Sequence, residues 1–258
     1  MEQSILHSKI IGEGEIHLLV FHGLFGQLDN WNTHGRKFGE YFTTHLIDLR
    51  NHGRSFHSED SSIEAMANDI SNYMEFHKIE NAHLLGHSLG GRVVMEFAVN
   101  NPNKVNHLIV ADMAPKAYPP HHNSIFKALL NVDFNLVNSR KDVEEILNQY
   151  IPEVGVKQFL LKNVYHAEND KYAFRFNLDA LHKFYEEMVG KDVANGVFNG
   201  PTLFLKGANS DYILPEDEFV IKNRFPNSEI KSIPNSGHWV HAENPTDFIK
   251  EILLFLNN

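Results

Sequence analysis

The chain has 258 residues, 42% hydrophobic and 22% charged, which suits one large α/β domain carrying an insertion and excludes a disordered or fibrous chain. Its 23 basic and 33 acidic residues give a formal net charge of −10, which repels phosphate backbones and anionic membrane surfaces and argues against nucleic-acid partners. The absence of cysteine removes disulfides, thiolate zinc sites, iron–sulfur clusters and thiol catalysis together.

The first residues lack the basic start and long apolar stretch of a secretory signal, and the longest apolar runs are far shorter than a membrane span. No membrane insertion is expected, and a cytoplasmic location is the default. Gly12-Glu13-Gly14-Glu15 is expected to join residues 5–11 to residues 16–21 as a hairpin. Leu18-Leu19-Val20-Phe21 is a continuous apolar run ending at His22-Gly23, as in a strand buried on both faces of a parallel sheet. Residues 44–49 form the next strand. Ser61-Ser62-Ile63-Glu64 reads as a capping box, and Ile63, Met66, Ile70, Tyr73 and Met74 follow at helical spacing. Residues 82–85 are a strand, 92–99 a helix, and 108–111 a further buried strand closing at Asp112. This alternation predicts right-handed crossovers and a mostly parallel sheet with helices on both faces.

From residue 113 to 199 the pattern becomes helical, over 125–136, 143–150 and 178–188, with no convincing strand. The expected organisation is therefore a core of residues 1–112 and 200–258, interrupted by a helical cap over 113–199. Strands resume at 202–205 and 229–233, and an amphipathic helix over Pro245–Leu256 ends the chain.

Gly86-His87-Ser88-Leu89-Gly90-Gly91, between a strand and a helix, fits the G-x-S-x-G nucleophile elbow. A serine on so tight a turn needs neighbours without bulk two positions away on each side, and the helix N-terminus behind it favours negative charge on its oxygen. His22-Gly23-Leu24-Phe25-Gly26 lies where an oxyanion loop belongs, so the N–H groups of Leu24 and Leu89 are candidate oxyanion donors. Asp48 and Arg50, after the next strand, are expected to brace that loop.

A serine alcohol needs a neutral imidazole to take its proton, and His238, in Ser236-Gly237-His238-Trp239, follows the last strand in the serine-before-histidine order. His241 is a weaker rival, and His87 should point away from its neighbour. The acid that orients the histidine is either Asp112 or Asp211, both at C-terminal strand ends, where ligand sites of open sheets gather. Although histidine is frequent, at 17, no H-E-x-x-H pair exists and His121-His122 reads as a polar loop, so neither a metal nor a cofactor is expected.

Taken in order, H-G-L-F-G (22–26), D-L-R-N-H-G-R-S (48–55), G-H-S-L-G-G (86–91), D-M-A-P (112–115), F-R-F-N-L (174–178) and G-H-W-V-H-A-E-N-P (237–245) resemble the YbfF-type esterases of the α/β-hydrolase superfamily over nearly the whole chain. The resemblance implies an α/β-hydrolase fold with an eight-stranded, mostly parallel sheet. It implies a triad of Ser88, His238 and Asp112, with Asp211 as the alternative acid. It also implies a small-molecule substrate, an ester or acyl-CoA thioester of short- to medium-chain acyl groups. Phe174 and Phe176 of the cap are candidate substrate-binding residues, although their spacing fits a packed core face equally well. The same triad on this scaffold also serves lactone, amide, carbon–carbon and haloperoxidase chemistry, and a binding module on a hydrolase scaffold is the reading from outside catalysis.

Overall fold

The computed structural model describes residues 4–167 and 171–257. Seven strands form the main sheet: β1 (Ser8–Ile11), β2 (His17–Phe21), β3 (Thr43–Ile47), β4 (Ala82–His87), β5 (Val105–Ala111), β8 (Thr202–Gly207) and β9 (Ser228–Ile233), in the order β1-β3-β2-β4-β5-β8-β9. Every pairing is parallel except that of β1 with β3.

The continuous apolar strands follow from burial on both faces. Leu19, Phe21, Leu84, Leu108 and Val110 point into one core, against α2 (Ile63–Phe76) and α3 (Leu89–Asn100). Leu18, Val20, Leu85, Ile109, Leu203 and Leu205 point into the other, against α1 (Asn32–Phe38) and α10 (Pro245–Leu256). The Ser62 hydroxyl accepts from the Ala65 N–H and starts α2, one residue later than the expected Ser61-to-Glu64 capping box, whose serine hydroxyl instead accepts from Asn51 Nδ2.

Two expectations are corrected. Residues 5–11 and 16–21 do not form a hairpin: both edges of β2 are taken by β3 and β4, and β1 pairs antiparallel with β3 at the sheet edge, where its half-exposed pattern fits. The main sheet has seven strands among the described residues, not eight.

Between β5 and β8 lie α4 (Asn123–Leu130), α5 (Arg140–Leu147), α6 (Val154–Leu161) and α7 (Leu178–Gly190). They are accompanied by an antiparallel pair, β6 (Val164–His166) and β7 (Tyr172–Phe174). No strand was expected here, because three-residue strands carry too little alternation to register. Arg92 of α3 ties this segment to the sheet layer: its guanidinium donates to the carbonyls of Lys116, at 2.7 Å, and of Lys191. After β8 come α8 (Asp217–Arg224), β9 and the short α9 (Val240–Glu243). No helix among the described residues is long and apolar enough to cross a membrane.

Candidate active site

β4 ends and α3 begins at Ser88, whose φ of 51° lies in the left-handed region that a side chain normally avoids. The glycines of the elbow make this turn possible. A Cβ on Gly86 would sit 2.3 Å from the Gly90 carbonyl oxygen, and one on Gly90 would sit 2.6 Å from the carbonyl oxygens of Phe21 and His22. The turn is held by N–H bonds from Ser88 to Ala111 and from Gly90 to His22, both 3.1 Å.

The Ser88 hydroxyl lies 2.9 Å from His238 Nε2, and His238 Nδ1 lies 2.8 Å from Asp112 Oδ2. Asp112 is fully buried at the end of β5, also at φ 51°, and its Oδ1 accepts from the Gly207 N–H at 3.0 Å. The Ser210 hydroxyl donates to the same Oδ2 that faces His238. Asp211 is exposed, so the loop after β8 presents its neighbours to the site instead of its own carboxylate. Beside Ser210 it presents Tyr212, whose ring stacks on His238 with centroids 3.7 Å apart at 16°. Burial pushes the Tyr212 phenol up to about 12, so it stays neutral.

Leu24 follows β2 and Leu89 opens α3, both bordering Ser88. Among the described residues neither backbone N–H donates to a protein acceptor, which leaves both free to bind an oxygen. The loop carrying Leu24 is braced from below. The Leu49 N–H donates to His22 Nε2 at 3.1 Å, which leaves the proton on Nδ1 to reach the Gly23 carbonyl at 2.8 Å. Burial lowers His22 to about 4, so this brace is neutral. Asp48 accepts from the N–H groups of Leu28, at 2.6 Å, and Arg54, at 2.9 Å. Arg50 instead turns to α2 and makes a bidentate pair with Asp69, at 2.6 and 2.7 Å.

The other two histidines do not reach the serine. His87 donates from Nε2 to the His238 carbonyl at 2.8 Å, and burial lowers it to about 3. His241 stacks on Trp31 with centroids 4.4 Å apart, and its carbonyl accepts from His34 Nε2.

A cavity of about 550 Å³ opens over Ser88 and His238, lined by Ile125, Val156, Phe159 and Leu160 of the 113–199 segment and by Trp239, on which Phe159 packs. Phe174 and Phe176 do not line it: they stack on each other at 4.8 Å and 15°, with Phe25 packed tilted against Phe176 and Phe134 edge-on to Phe174, which corrects their expected place in a substrate pocket. His122, read as part of a polar loop, lies on the cavity wall. Sequence reasoning missed Ser210 and Tyr212, although both flank the aspartate it singled out. Among the described residues no cluster of three or more histidine and acidic side chains could hold a metal ion.

A family model described as the alpha/beta hydrolase fold matches residues 16–141. The chain is 40% identical over 241 residues to a protein of Haemophilus influenzae named "Putative esterase/lipase", covering 93% of this chain and 83% of that one. It is 32% identical over 242 residues to Esterase YbfF of Escherichia coli, covering 93% of each. A solved structure described as a marine microorganism esterase superposes with a TM-score of 0.95 at 37% identity, covering 98% of this chain and 100% of that one.

Proposed function

The chain belongs to the α/β-hydrolase family, and from that premise we propose that it hydrolyses carboxylic esters through an acyl-enzyme on Ser88. The observation that carries this reading is the continuous contact from Ser88 Oγ through His238 to Asp112 beneath an apolar cavity. Ser88 Oγ bonds to the ester carbonyl carbon while His238 Nε2 takes the hydroxyl proton. The carbonyl oxygen, now carrying the negative charge, accepts from the N–H groups of Leu24 and Leu89. The carbon–oxygen bond to the alcohol breaks, and His238 returns the proton to the departing oxygen. Water then attacks the acyl-serine with His238 again as base, releasing the acid and restoring the serine. Asp112 keeps the imidazole proton on Nδ1 and stabilises the imidazolium in each half-reaction.

Residues 113–199 act as the cap that closes this cavity over the substrate. A volume of about 550 Å³ with aliphatic and aromatic walls accommodates short- to medium-chain esters. The same steps serve acyl-CoA thioesters, since a thiolate is a weaker base than an alkoxide and leaves more readily. A panel of p-nitrophenyl esters and acyl-CoAs of graded length, run with the wild type and Ser88→Ala, tests both points. Turnover should be confined to esters or thioesters of up to medium length. It should fall as much as roughly a millionfold in Ser88→Ala. Retention of more than a few per cent of activity in the variant overturns the assignment.

A further inference from the structure

Of the polar side chains of the cavity that take no part in the acyl transfer, His122 is one that also borders the space beside Ser88. His122 immediately precedes α4 and lines both the large cavity and a second recess of about 30 Å³ beside Ser88. His238 borders the large cavity and not the recess. The departing alcohol must lie beside the imidazole that protonates it, so the alcohol half occupies the large cavity that His122 and His238 share.

The proton on this imidazole is fixed by its partner. The buried Tyr185 hydroxyl accepts from the His122 backbone N–H at 2.8 Å and lies 2.8 Å from His122 Nδ1. Tyr185 has one hydrogen to give, and Nδ1 is its remaining partner among the described contacts, so the hydroxyl donates to Nδ1. The neutral ring then carries its proton on Nε2. Unlike Nδ1 of His34 and of His241, which are sealed in the core without partners, Nε2 of His122 has access to the space its residue lines. Burial lowers the ring to about 4, so at neutral pH it offers a hydrogen bond but no positive charge.

Resting on the hydrolase reading above, we infer that the His122 Nε2–H is a substrate-binding donor that selects esters whose alcohol half carries a second, uncharged oxygen close to the scissile bond. An apolar cavity makes one such donor discriminating, because a substrate without the oxygen leaves it unpaired. A carboxylate or phosphate at the same point gains no ion pair from the neutral ring.

The test compares 2-methoxyethyl butyrate with butyl butyrate, which match in length and differ by one ether oxygen that can only accept. The readout is the ratio of their kcat/KM values in the wild type, His122→Phe and His122→Gln. The wild type should favour the methoxy ester, and His122→Phe should lower the ratio about tenfold, the size of one net hydrogen bond. His122→Gln, which keeps an N–H donor, should hold the ratio closer to the wild-type value. A ratio in folded His122→Phe within about twofold of wild type, including the case where both rates fall together, overturns the proposal. If His122→Phe does not fold, a His122→Gln ratio as low as that of a donor-free site does the same. Labelling of Ser88 by a fluorophosphonate separates the outcomes: a labelled enzyme with an unchanged ratio condemns the His122 assignment alone. An enzyme that neither labels nor hydrolyses either ester condemns the hydrolase reading and this assignment with it.

Discussion

Ser88, Asp112 and Phe25 hold φ values of 51°, 51° and 59°, each costing on the order of 1–3 kcal/mol that the surrounding sheet must offset. All three lie at or shortly beyond the C-terminal ends of neighbouring strands, so the strain is concentrated where the proposed nucleophile, its proposed acid and the proposed oxyanion loop converge. Two aspartates compete for the acid's role in the sequence, and geometry separates them: Asp112 is buried against His238, whereas Asp211 faces solvent. Asp112→Asn keeps the shape and removes the charge that stabilises the imidazolium, so kcat should fall by about 10⁴. Asp211→Asn removes only a solvent-screened charge and should cost less than about tenfold. Steady-state kinetics on one ester checks both, and the reverse ranking would return the acid to the loop after β8. That loop was only half legible. Its aspartate stood out by chemistry, while Ser210 and Tyr212 act through backbone geometry that no local pattern encodes.

At the scale of elements, β2, β4, β5 and β8 were readable because strands buried on both faces carry short continuous apolar runs, such as residues 18–21 and 108–111. α10 was readable because one face alone meets the sheet. Pairing was harder: β1 lies next to β2 in sequence, yet it joins the sheet edge through β3, and no property of residues 5–21 specifies that choice. The 113–199 segment was legible as helical and was expected to carry substrate-binding residues, but which of its side chains face the cavity was not legible. Its aromatic residues divide between two jobs that share one hydropathy. Phe176 is 3% exposed, packed between Phe174 and Phe25, whereas Phe159 lines the cavity beside Trp239, their ring centroids 5.6 Å apart. Phe176→Ala should therefore destabilise the protein by about 3–5 kcal/mol, read by denaturant unfolding, and leave the short-to-long ester ratio unchanged. Phe159→Ala should shift that ratio toward longer chains. A shifted ratio in Phe176→Ala with no loss of stability would restore that residue to the pocket.

The whole molecule places an unusual number of imidazoles in its interior. Burial lowers His22 to about 4, and His52 and His87 to about 3, from an ordinary value of 6.5. A histidine with a depressed folded pKa is neutral in the native state and binds its proton more readily unfolded. Its contribution is complete above pH 6.5 and is lost as pH falls toward 3–4. Each such group costs about 1.4 kcal/mol per pH unit below 6.5. The buried Asp48 and Asp69, whose carboxyl pKa values burial raises, work in the opposite direction as pH nears the carboxylate range. Tm should be level above pH 7 and fall steadily from pH 6.5 to pH 5, as calorimetry across that range would show; a level or rising Tm there would mean that these imidazoles are charged in the native state. The account as a whole rests on one activated hydroxyl per chain. Mass spectrometry of the intact protein after treatment with a fluorophosphonate measures that directly. The wild type should gain a single adduct, mapped to the peptide containing Ser88 and absent from Ser88→Ala. An adduct on another residue, or labelling that persists in Ser88→Ala, would contradict it.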